Sequence, residues 1–174
     1  VGLACGQGES TPASSTATAT SQVASADAGA ADALPANLVL AVEPQGAKDV
    51  KAIRASAQAG DDVVIRGVVG GREEPIAANR AILTLIDDTV QTCDRRHGDA
   101  CKTPWDACCE PAELIAANST TVQVVGADGK PLKASLAGVG GIAPLKKLVV
   151  VGKYRPSPDG KAAVVDATGL YVVQ

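Results

Sequence analysis

At 174 residues with a net charge of −3, the chain is sized for one domain plus a tail, since globular domains cluster near about 100–150 residues. The charge speaks against a protein built to neutralise nucleic-acid phosphates or to lie on an anionic membrane. Of the apolar residues, 32 are Ala and 40 are Val, Ile or Leu, with no Phe or Met, one Trp and two Tyr. That composition predicts a small aliphatic core and excludes a collagen, a coiled coil and a bundle of membrane-spanning helices.

Residues 1–36 read as an extended low-complexity leader. From Ser10 to Pro35 the chain is almost entirely Ser, Thr, Ala and small acidic residues, which bury too little surface to offset the entropy of ordering. Val1-Gly2-Leu3-Ala4-Cys5-Gly6 resembles the end of a bacterial secretion signal running into a lipidated cysteine, although Leu3 stands one place later than such signals prefer. Five cysteines, four of them within seventeen positions, also fit an oxidising compartment, cell surface or extracellular. Cys5 is then either lipidated or available for an intersubunit disulfide.

Residues 37–60 read as a short strand, Asn37–Val42, then a helix of about three turns between Gln45 and Gly60. Val50, Ile53 and Ala57 recur there at helical spacing, and Gly60 stands where a left-handed cap belongs. Residues 61–174 are expected to fold as a β-barrel. Its first strand is Asp61–Gly71, whose glycines permit a sharp bend, and its second is Ala81–Asp88. A cysteine-rich insertion at 91–117 ends in a short helix opened by Pro111. Thr120–Gly126 and Pro131–Leu136 form a hairpin about Asp128-Gly129, and Leu148–Tyr154 with Lys161–Val173 make the last pair.

The glycine-bearing strand Val63-Val64-Ile65-Arg66-Gly67-Val68-Val69, then Leu83–Asp88, then Leu148–Tyr154 and Val164–Val172, together resemble the OB-fold family. That resemblance implies a five-stranded Greek-key barrel, with the cysteine loop as an insertion. Cys101-Lys102-Thr103-Pro104-Trp105-Asp106-Ala107-Cys108-Cys109 is similar to a segment of uncharacterised exported bacterial proteins, a likeness that implies no activity.

Cys93, Cys101, Cys108 and Cys109 admit two chemistries. Two disulfides could staple a loop poor in apolar residues, with Cys93 and Cys101 each bonded to one of the adjacent pair, because a Cys108–Cys109 bond would close a strained ring. Each bond would contribute about 2–4 kcal/mol, and Trp105 would be the loop's apolar core. Alternatively, Cys93, His97, Cys101 and Cys108 could hold zinc or copper. His97 is the only histidine, and no nucleophile elbow, phosphate-binding loop or zinc-protease motif is present. Asp61-Asp62, Glu73-Glu74 and Asp87-Asp88, at strand ends, are expected to be solvated loop or cap residues, the alternative being a weak calcium site.

Lys146, Lys147, Lys153 and Arg155 form a basic strip, but Tyr154 and Tyr171 are the only strand aromatics, so no nucleic-acid partner is expected. Asn118-Ser119-Thr120 fits a glycosylation acceptor. The expected function is that of a non-enzymatic extracytoplasmic structural module without cofactor, associating with copies of itself through the leader into a surface assembly or filament. The alternative is a periplasmic lipoprotein whose cysteine loop binds a metal or small ligand. Membrane contact is expected only through a lipid on Cys5.

Overall fold

The computed structural model describes residues 33–96, 98 and 101–174; positions 1–32 of the leader, Cys5 among them, and His97 lie outside them. The chain is mainly β. In order, its elements are β1 (Lys48–Asp49), α1 (Val50–Ser56), β2 (Asp62–Val69), β3 (Ile82–Ile86), α2 (Ala112–Ala117), β4 (Ser119–Gln123), β5 (Lys147–Pro156) and β6 (Ala163–Val172). Among the described residues no helix is long and apolar enough to cross a membrane.

Five strands close a barrel. β2 pairs antiparallel with β3, β3 with β4, β5 with β6 and β5 with β2, while β4 pairs parallel with β6. Closure satisfies backbone groups that an open sheet would leave at its edges. The pattern is consistent with the OB-like barrel expected from the glycine-bearing strands. Alternation along β2 and β3 sends Val63, Ile65, Leu83 and Leu85 inward, where they meet Val122, Leu148, Val150, Val165 and Leu170 in one aliphatic cluster. Burial of such side chains, each worth roughly 1.5–3 kcal/mol, is what a composition of Val, Leu and Ile can supply without aromatic bulk.

Two close approaches demand glycine. At Gly152 a Cβ would stand 2.3 Å from the Asp166 carbonyl oxygen, beside the register shift in the β5–β6 pairing. At Gly70 it would stand 2.5 Å from the carbonyl oxygen of Trp105.

The segment before β2 differs from its sequence reading. Asn37–Val42 makes one parallel bridge, Val39 to Leu170, with Leu40 N–H donating to Leu170 O (2.8 Å) and Leu170 N–H to Leu38 O (2.7 Å). It therefore adds to the chain's own β6. The helix is shorter than three turns, because Lys48 and Asp49 pair in parallel with Ile65 and Arg66 of β2 instead of joining it. Gly60 does adopt a positive φ of 92°, but it lies beyond the helix end at Ala57 and turns the chain into β2, its N–H donating to Tyr154 O (2.8 Å). In the hairpin after β4, Gly126 N–H donates to Lys130 O (2.9 Å) and Leu132 N–H to Val124 O (3.0 Å). Its second arm is a single bridge at Pro131 rather than a strand.

Candidate functional site

The cysteine loop leaves β3 through a fixed corner. Asp87, expected to be solvated, is instead buried and accepts hydrogen bonds from Lys51 N–H (2.8 Å), Thr89 N–H (3.1 Å) and the Thr89 hydroxyl (2.6 Å). Burial pushes its pKa upward, but these donors outweigh it and hold the carboxyl below the usual value. The stability this contributes is present above the ordinary carboxylate range and is lost as pH falls through the lowered value. Asp88 pairs with Lys147 and Arg95, each at 2.6 Å. Hydrogen bonds from Lys147 and then Arg95 lower its pKa.

The two sides of the loop then meet. Cys93 N–H donates to Asp106 O and Asp94 N–H to Pro104 O, both at 2.8 Å. Arg96 pairs with Glu110, and the Arg96 Nε is buried without a partner. Ala107, fully buried, packs with Val68, Ile86 and Val90 beneath the loop. Trp105 is half-buried. Its Nε1–H donates to Glu73 O (2.9 Å) and its carbonyl accepts from Gly71 N–H (2.8 Å), so it ties the loop to the segment that follows β2. Among the described residues, the side chains buried beneath the loop are those of Val68, Ile86, Val90 and Ala107 together with Asp87, Thr92 and Cys93.

Gly70→Ala tests this docking. The added methyl meets a backbone oxygen that no side-chain rotation can clear, so loop and barrel must separate at a cost of about 1–3 kcal/mol. Trp105, the only tryptophan, reports the movement. Urea unfolding should show the loss of stability and the native emission should shift red; an unchanged midpoint with unchanged emission would remove Trp105 as an anchor.

Three sulfurs converge at the loop's outer end. Cys93 Sγ lies 3.5 Å from Cys108 Sγ, and Cys108 Sγ lies 3.9 Å from Cys109 Sγ; all three lie within 4.8 Å of one another. Cys93 is buried, whereas Cys108 and Cys109 are exposed. Cys101 Sγ contacts the Thr103 hydroxyl (3.3 Å) and carbonyl (3.6 Å), and it bears on Cys93 and Cys108 electrostatically. No disulfide joins any two of these four.

Their protonation preferences diverge. Burial pushes the Cys93 thiol well above its ordinary value, and the Cys108 and Cys101 sulfurs add to this. For Cys108, hydrogen bonding with Cys93 pulls its value down, but Cys109, burial and Cys101 together leave it raised. Hydrogen bonding from the Thr103 hydroxyl chiefly lowers Cys101. Crowded sulfurs resist ionising together, and a cation placed among them reverses that preference.

Thus three of the sequence-derived candidates come together, Cys93 and Cys108 with Cys109 added, and Cys101 borders them. Gly70 lies in the glycine-bearing stretch read as a strand bend, and the structure adds its close approach to Trp105; the Thr103 contact with Cys101 has no signal in the sequence. Of the basic strip, Lys147, Lys153 and Arg155 face Asp88, Asp62 and Asp166. Comparisons of the chain with protein-family models, with curated proteins and with solved structures find no match.

Proposed function

We propose that this protein is a non-enzymatic metal-binding module, an OB-like barrel whose loop holds one soft cation, zinc or copper(I), through Cys93, Cys108 and Cys109. Cys101 stands next to them as the fourth sulfur. The sulfur spacing carries the reading. With Zn–S bonds of about 2.3 Å, the edge of a tetrahedral site is about 3.8 Å, and the 3.5 and 3.9 Å separations bracket it. A disulfide would require about 2.05 Å. Soft thiolates select zinc and copper(I) over hard cations. The backbone ladder at Cys93 and Asp94 supports the reading further, because it brings the two sides of the loop together independently of sulfur chemistry.

The same proposal places the protein outside the cytoplasm, on the residues around Cys5 and the likeness of the Cys101–Cys109 segment to exported bacterial proteins. Self-association through residues 1–36 rests on the composition of the leader, whose positions 1–32 lie outside the described residues. Sedimentation of the samples below reads it directly, and a single species of 17.3 kDa argues against it.

The test is native mass spectrometry of the full chain, purified without reductant in one preparation and anaerobically in another, then titrated with zinc or copper(I) against a chromophoric chelator. The expected result is one bound cation, removable by chelator, with affinity reduced at least ~100-fold in Cys108→Ser, more than loss of a supporting residue costs. A metal-free chain lighter by two hydrogens per disulfide, and with no uptake by the anaerobic sample, would overturn the proposal in favour of the stapled loop.

A further inference from the structure

A second site lies away from the cysteines, in a cleft of about 340 Å³ bounded by α1, α2, the turn after β2 and the β5–β6 connection. Thr84 of β3 lies opposite Thr121 of β4. Both point away from the barrel core, because their neighbours Leu83, Leu85 and Val122 face it; Thr84 is itself buried and Thr121 half-buried. Ser119, two residues before Thr121, shares that outer face and lines the same cleft.

Three cations from three separate segments border these hydroxyls: Arg54, Arg72 and Lys161. The Arg54 guanidinium is held by carbonyls alone, with Nη1 donating to Ser119 O and Nη2 to Gly160 O and Lys161 O, all at 3.0 Å. Those bonds fix its position without cancelling its charge. Among the described residues, none of the three faces a carboxylate partner, whereas Arg66, Arg95, Arg96, Lys147, Lys153 and Arg155 all do. Among the described residues none that lines the cleft is acidic; Glu113 borders the adjoining groove beside Arg54 and Lys161 and disfavours an anion on that side.

We propose that this cleft binds a small molecule through a tetrahedral oxyanion, a phosphate or sulfate group. Charge-assisted hydrogen bonds from a guanidinium already held in place lose little entropy on binding, and the threonine and serine hydroxyls supply neutral donors. The volume suits a single anionic group with a modest substituent. The cleft has no aromatic side chain on which a base could stack.

The test is an NMR titration of the amide signals with inorganic phosphate, and separately inorganic sulfate, against chloride at constant ionic strength. Saturable shifts are expected at 71–72, 84, 119–121 and 161–163. Replacing the exposed pair, Arg72→Gln with Lys161→Gln, should weaken binding at least ~10-fold, while Lys153→Gln, a cation outside the cleft, leaves it unchanged. A preference between the two oxyanions names the kind of ester the site takes. Shifts that do not saturate, that spread over the surface, or that weaken equally in the Lys153 variant would overturn the proposal.

Discussion

Gly152→Ala lowers the unfolding free energy by about 3 kcal/mol, at the upper end for overpacking a well-packed site. The reason is local and severe. β5 and β6 approach so closely that the added carbon meets the Asp166 carbonyl oxygen at 2.3 Å and a Val165 methyl at 2.8 Å. The methyl could rotate away, but the carbonyl belongs to the ladder itself. Relief therefore requires the two strands to part at the register shift, where Val151 faces Gly169 and Gly152 faces Ala167, and the disturbance reaches Val165, which is fully buried in the core. A urea titration should show a lower midpoint with an unchanged slope. A loss under about 0.5 kcal/mol would mean that the strands yield there more readily than the spacing implies.

Leu170→Ala is the other large effect, about 2–5 kcal/mol, the range for removing a buried leucine side chain and leaving a cavity. Leu170 is fully buried and belongs to the main cluster with Leu38, and its own backbone holds the 38–40 segment on both sides. The cavity would thus open beneath the junction of that segment with the barrel, whose strands are fixed on both sides and have little freedom to collapse into it. Val42→Ala, at a site 76% exposed, should change stability by no more than about 0.5 kcal/mol. Equal effects at both positions in chemical denaturation would contradict the placement of the core.

The barrel was legible because its strands announce themselves by residue type. Val63–Val69 and Leu148–Tyr154 are runs of β-branched residues interrupted by glycine, and those glycines mark close approaches in the folded chain. The helix ahead of β2 was over-extended because a period of apolar residues is silent about Lys48 and Asp49, whose pairing with Ile65 and Arg66 is a tertiary choice. The arm at Pro131–Leu136 failed as a strand for a related reason. Asp128-Gly129 sets a turn, and only Val124, Val125 and Gly126 find partners across it.

For the site, the residues were legible and the arrangement was not. Spacing in the chain allowed several combinations of Cys93, Cys101, Cys108 and Cys109, and it is the ladder between 93–94 and 104–106 that sets which sulfurs meet. The cleft proposed to take an oxyanion left no local trace at all. Arg54, Arg72 and Lys161 lie far apart in the sequence and each sits in an ordinary surface segment, so their lack of carboxylate partners among the described residues emerges only when the ion pairs are placed in space.

The parallel pairing of β4 with β6 bears on how the chain is made. Thr121 waits for Val164 and Gln123 for Asp166, and β6 is at the same time the antiparallel neighbour of β5. A nascent chain that has emerged only as far as β5 can join β2, β3 and β5 but leaves β4 with one flank unpaired, so the barrel stays open until the last strand leaves the ribosome. Long-range closures of this kind fold slowly and expose strand edges meanwhile. The period of greatest vulnerability to aggregation or to a chaperone's grip is therefore the interval between the emergence of Pro156 and the emergence of Val172 from the ribosome.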